Sequence, residues 1–169
     1  ENVLLPTGDI HIHWAQWFPD GKSLCLVGRE PDHRLRIYRY DLERREAKPF
    51  TEEGVGRGLT FVSPDGRFVP AIGPSGTFAL YPTDGGKPRP LDSIGPNERP
   101  ARWSEDGASL WVYERSRIPT RIHLIDVGTG RREFRREIAP RYVNGVDSFN
   151  NFVMTPDGES YGWWPAIGM

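Results

Sequence analysis

A single cysteine, Cys25, excludes an internal disulfide framework and a cysteine-rich zinc site. Charge of one sign is equally scarce: 22 Lys and Arg face 23 Asp and Glu, a formal net charge of −1, which argues against a nucleic-acid partner held by a broad basic field. No apolar run approaches the roughly 18 residues a membrane-spanning helix needs, so no membrane insertion is expected of these 169 residues. No stretch has a convincing helical period. What the sequence does have is punctuation and flat side chains, with 19 Gly, 16 Pro and 12% aromatics including six Trp. That mixture suits short strands and tight turns.

The punctuation is periodic. Phe18-Pro19-Asp20-Gly21, Ser63-Pro64-Asp65-Gly66, Ser104-Glu105-Asp106-Gly107 and Thr155-Pro156-Asp157-Gly158 each follow an apolar or aromatic residue (Trp17, Val62, Trp103, Met154) and precede a β-rich run. Asp-Gly suits a tight hairpin, because glycine accepts a positive φ. About twenty residues after each of the first three pairs comes another Asp: Asp41, Asp84 and Asp126. Leu5, Phe50 and Leu91 close short segments ahead of the first three pairs. Three markers in one phase define a repeat.

Each repeat reads as four short strands: 14–18, 22–28, 34–41 and 46–50; then 58–62, 67–73, 77–82 and 87–91; then 99–103, 108–114, 120–126 and 131–137. A partial fourth repeat has 149–154 and 159–164, and 2–5 reads as the last strand of a preceding one. The blade units are therefore approximately 14–50, 58–91, 99–137 and 149–164. Leu24-Cys25-Leu26-Val27 and Leu110-Trp111-Val112-Tyr113 are apolar on both faces, as strands between stacked sheets should be. Four-stranded sheets at a period of about 40–45 residues predict an all-β fold, β-propeller blades of four antiparallel strands, about three complete with partial terminal ones. Pro70, inside a predicted strand, predicts a bulge or an early strand end. About fifteen strands make an open arc, whose unpaired edges favour self-association or continuation into a longer propeller.

The four Asp-Gly strings resemble the WD40-like PD40 repeat, which builds the TolB-type β-propeller. The terminal Tyr161-Gly162-Trp163-Trp164-Pro165-Ala166-Ile167-Gly168-Met169 also resembles the propeller region that follows bacterial eukaryotic-like serine/threonine kinase domains. That resemblance implies a larger bacterial parent, and a periplasmic or extracytoplasmic place if a receptor-kinase membrane span precedes it. No kinase motif occurs in these residues.

Gly158-Glu159-Ser160-Tyr161-Gly162 is a literal G-x-S-x-G string, similar to the serine string of prolyl oligopeptidases. Its glycine is already the turn glycine of the fourth repeat, and Ser160 aligns with Ser23 and Ser109. No catalytic residue is assigned. His11 and His13, two apart with Asp9 nearby, would share a strand face and are weighed as a metal pair, as in the histidine-metal sugar lyases of related propeller fold. An exposed inter-blade loop is the plainer reading, and neither a metal nor a cofactor is expected. The repeated Asp residues (Asp20, Asp65, Asp106 and Asp157, with Gly21, Gly66, Gly107 and Gly158) are structural turns. Trp17 and Trp103, at one repeat position, are expected in the core, and Cys25 is expected to be an inert packing residue. The paired arginines 131–132 and 135–136 read as a solvated outer strand.

The expected function is a non-enzymatic interaction or sensing module with a protein or peptide partner. It would bind through loops 7–13, 52–57, 93–99 and 140–149, with His11, His13, Asn144, Asp147 and Asn150 as candidates. The alternatives are the propeller gate of a serine peptidase and a metal-dependent sugar lyase.

Overall fold

A computed structural model describes residues 5–56, 58, 60–139 and 146–167, the backbone alone over 146–151 and 164–167. Among them every regular element is a β-strand, and the chain divides into two compact units, one up to Pro90 and one from Leu91 onward.

The first unit holds two antiparallel sheets. β1 (His11–Trp17), β2 (Ser23–Arg29), β3 (Arg36–Asp41) and β4 (Glu46–Pro49) pair in chain order, as do β5 (Phe68–Ile72), β6 (Phe78–Pro82) and the short β7 (Arg89–Pro90). The apolar strand β2 is buried along Ser23–Gly28 because both of its faces are covered. One face joins Cys25, Val27 and Ile37 to Val69, Ala71 and Tyr81 of the second sheet and to Val55 of the connection between them; the other gathers Leu24, Leu26, Tyr38 and Tyr40.

The second unit repeats the plan with β8 (Glu98–Trp103), β9 (Ser109–Glu114), β10 (Thr120–Asp126) and β11 (Arg132–Ile138), again antiparallel and in order. β12 (Val146–Met154) and β13 (Tyr161–Ile167) form a two-stranded sheet. Trp111, Tyr113, Ile122 and Ile138 pack on Phe152 and Met154 in its core.

The four Asp-Gly strings make one recurring hairpin. The residue two before each Asp bonds across it: Phe18 N to Ser23 O (2.9 Å), Ser63 N to Phe68 O (2.8 Å), Ser104 N to Ser109 O (2.9 Å) and Thr155 N to Ser160 O (2.9 Å). Gly21, Gly66, Gly107 and Gly158 all hold φ between 64 and 77°, a region a Cβ disfavours. Asp20, Asp65, Asp106 and Asp157 each accept a backbone amide two residues on, from Lys22, Arg67, Ala108 and Glu159. In three copies the Ser or Thr hydroxyl also donates to the Asp. Where Phe18 replaces that hydroxyl, Arg39 takes over, bonding Asp20 at 2.6 Å and lying 4.4 Å from the Phe18 ring centroid.

Four expectations fail. Residues 60–62, read with 58 as a strand, carry no ladder: by the hairpin register Pro70 stands opposite Phe61, where Cys25 and Trp111 stand opposite Gln16 and Arg102, and proline has no N–H to donate. The segment is held by β1 instead. The Trp14 indole donates to Thr60 O at 3.2 Å, and the Gln16 amide, oriented to satisfy both groups, donates to Thr60 O at 3.1 Å and accepts from Val62 N. On its other side Pro70 lies in a regular register with Leu80, with neither the bulge nor the strand end expected. Trp17 is 61% exposed while its repeat equivalent Trp103 is 3% exposed, so equal position does not bring equal cover. Finally, β12 starts at Val146, which places Asp147 on a strand rather than on a loop, while Asn150 lies on that strand as the reading of 149–154 has it. Asn144 and residues 2–4 lie outside the described residues.

Candidate functional site

The antiparallel order puts the β1–β2 and β3–β4 turns at one end of the first sheet and the β2–β3 loop, residues 30–35, at the other. At that second end a cavity of about 580 Å³ opens between the two sheets of the first unit, lined by His13, Arg29, His33, Arg34, Leu35, Gly54, Ile72, Gly73, Pro74 and Gly76. Its volume lies within the roughly 300–1,000 Å³ of small-ligand sites.

Each charged lining group is placed by a local feature. A register shift between Ile12 and Trp14 makes His13 a β-bulge residue, which breaks the alternation that would set His11 and His13 on one face. His13 lines the cavity; His11 is not among its lining residues. Arg29 ends β2, and Asp32, at φ 63°, turns the loop that carries His33 and Arg34. Glu53 fastens this loop from the opposite connection: its carboxylate pairs with His33 Nδ1 at 2.7 Å, with Arg36 and with the Arg34 amide. The Arg36 bond, then the His33 bond, hold the Glu53 carboxyl down at about 2. Its charge is therefore already matched. Among the described residues the Arg29 and Arg34 guanidiniums have no ion-pair or hydrogen-bond partner.

A second cluster lies in the other unit. Glu98, Glu114 and His123 come from β8, β9 and β10, and one ligating atom of each lies within 4.8 Å of the others. They meet because Glu98 and Glu114 are register partners. A cavity of about 440 Å³ is lined by Glu98 and Glu114 with Gly95, Pro96, Asn97, Ser116 and Arg117. Both Glu98 oxygens are engaged: Arg132 bonds them through Nη1 (2.9 Å) and Nη2 (2.5 Å), and Gly95 N donates at 2.7 Å. Burial raises the Glu98 carboxyl, but these bonds outweigh it and hold the group below the usual range. Burial holds the His123 imidazole below its usual value, and its buried Nδ1 has no partner. The donor set suits a divalent cation only in part, since a bidentate arginine already neutralises the buried carboxylate.

Ser160 is a hairpin residue. Its amide donates to Thr155 Oγ1 at 3.0 Å, and β13 follows where a nucleophile elbow would lead into a helix. Cys25 is fully buried, and burial pushes its thiol up to about 12. Of the paired arginines, Arg132 clamps Glu98, Arg135 pairs with Glu133 at 3.0 Å, and Arg136 donates to Gly158 O. Sequence reasoning found the cavity's loop 52–57 and His13 but missed Arg29 and Arg34. Two arginines flanking a turn carry no signal that a cavity lies between them.

No family model matches the chain, and no curated protein matches it in sequence. Solved structures do. TolB from Acinetobacter baumannii superposes with a TM-score of 0.65 at 18% identity, over 91% of this chain and 37% of that one. Oligogalacturonate lyase from Vibrio parahaemolyticus gives a TM-score of 0.65 at 17% identity, over 95% and 48%. A prolyl endopeptidase gives 0.58 at 17% identity, over 95% and 27%. The chain spans less than half the length of each of these proteins. With its antiparallel sheets joined by Asp-Gly hairpins, it has the fold of TolB-type β-propeller blades.

Proposed function

We propose that this chain is a non-enzymatic interaction module of a larger bacterial protein, and that it captures a protein or peptide partner at the loop end of its first unit. The observation that carries this reading is the His13–Arg29–His33–Arg34 cavity, a concave site between two sheets in which the Arg29 and Arg34 guanidiniums have no partner among the described residues. Rigid strands hold Arg29 and His13, and the Glu53 bonds hold the neighbouring loop, so little ordering cost falls on binding.

The test is site-specific photocrosslinking in an extract of the source organism. A photoreactive amino acid replacing Ser75, in the loop beside the cavity, is expected to give a discrete adduct. The same group replacing Glu43, at the opposite end of the first sheet, is expected to give none. Equal labelling from both positions, or from neither, rejects the proposal.

A further inference from the structure

We infer that the cavity of the first unit is a carboxylate receptor: Arg29 and Arg34 clamp the acidic side chains of a partner segment. The inference rests on the interaction reading above and gives its ligand a chemistry. Every charged residue lining the cavity is an arginine or a histidine. None of the lining residues is a carboxylate, and of the acids on the adjoining loops Glu53 is spent on Arg36 and His33 and Glu30 is engaged by the Tyr38 hydroxyl. The guanidiniums of Arg29 and Arg34 are therefore the uncompensated charges of the site, and a concave, protein-walled site concentrates their field. A guanidinium presents a planar fork that matches a carboxylate oxygen for oxygen.

The backbone separates carboxylate from phosphate. Phosphate sites draw on free amides at a nest or a helix start. Here the glycine amides of the lining are taken: Gly54 N donates to Leu35 O (2.8 Å), Gly73 N to Thr77 O (2.9 Å) and Gly76 N to Gly73 O (3.0 Å), while Pro74 has none to give. These glycines form no amide nest, and what the site offers is side-chain forks. Its volume exceeds the needs of one carboxyl group, and two arginines suit two acids borne on one ligand.

The test titrates the whole chain, at low salt, with acetyl-tetraglutamate amide, with citrate and with inorganic phosphate, followed by calorimetry. The expected result is saturable binding of the peptide and of citrate, at least tenfold tighter than phosphate and weakened as salt is raised. The double variant R29Q/R34Q is expected to lose at least tenfold with its thermal transition unchanged. R44Q/R45Q, the same charge change on the exposed β3–β4 turn, is expected to bind as the parent does. E53Q, which leaves Arg36 and His33 without their carboxylate, is expected to bind the peptide more tightly. Absent binding, phosphate equal to citrate, or equal losses in the two double variants each overturn the inference. If peptide binding fails while Ser75 crosslinking still yields its adduct, the interaction reading stands and only the acidic chemistry falls; failure of both removes both.

Discussion

Replacing Gly158 with alanine separates two physical effects that the repeat otherwise combines. The residue sits at φ 77°, and its Cα faces the Trp111 ring, where a Cβ would collide with three ring carbons. The ring cannot withdraw easily, because its Nε1 donates to Pro156 O at 3.0 Å within the same hairpin. Left-handed backbone costs a non-glycine residue about 1–2 kcal/mol, and forcing atoms into a packed site adds about 1–3 kcal/mol. G158A is thus expected to destabilise the second unit by about 2–5 kcal/mol. Gly130, in the same unit at φ 73°, would place a Cβ at an ordinary 3.6 Å from Ser93, so G130A should cost only the backbone part, about 1–2 kcal/mol. Urea unfolding followed by fluorescence and circular dichroism measures both. In a W111V background the G158A penalty should shrink by about 1–3 kcal/mol, a coupling that a double-mutant cycle isolates. If G158A and G130A cost the same within about 0.5 kcal/mol and show no coupling to residue 111, the packing argument is refuted.

Further outcomes follow from the same structure. Glu98 is 7% exposed and clamped by Arg132, so E98Q should destabilise by about 1–3 kcal/mol, below the value for a fully buried pair because Arg132 is part-exposed. Since the folded carboxyl lies below its ordinary value, the stability it contributes is present above the unfolded pKa and drains away as pH falls through the folded one; a pH series on E98Q should lose that acid-side slope. The Cys25 thiol, buried and pushed up to about 12, should resist Ellman's reagent in the native protein and react on unfolding. P70V restores the missing donor opposite Phe61 and should extend the ladder to residues 60–62, worth up to about 1 kcal/mol, with slowed amide exchange at residue 70 as the readout.

How much of this was legible in the sequence depended on the range of the interaction. The hairpins were readable because an Asp-Gly turn is specified within six residues: the carboxylate, the glycine and the closing amide all lie side by side in the chain. The blade order followed from their spacing. Trp17 was misjudged because burial depends on what covers a face, and repeat position alone does not supply the cover. The Glu98–Glu114–His123 cluster was invisible, since three strands and one register bring together residues 16 and 9 positions apart. The cavity was half legible. Its loop 52–57 followed from repeat phase, whereas the part played by the loops around 30–35 and 73–76, the bulge at His13 and the neutralisation of Glu53 exist only in three dimensions.

The proline opposite Phe61 has a consequence for how the first unit comes together. A blade whose segment 60–62 forms no strand of its own sheet and is moored to its neighbour's Trp14 and Gln16 is an incomplete building block. Its autonomy has been traded away, so the first two blades should appear and vanish as one cooperative piece; cutting the chain between them ought to leave neither half native.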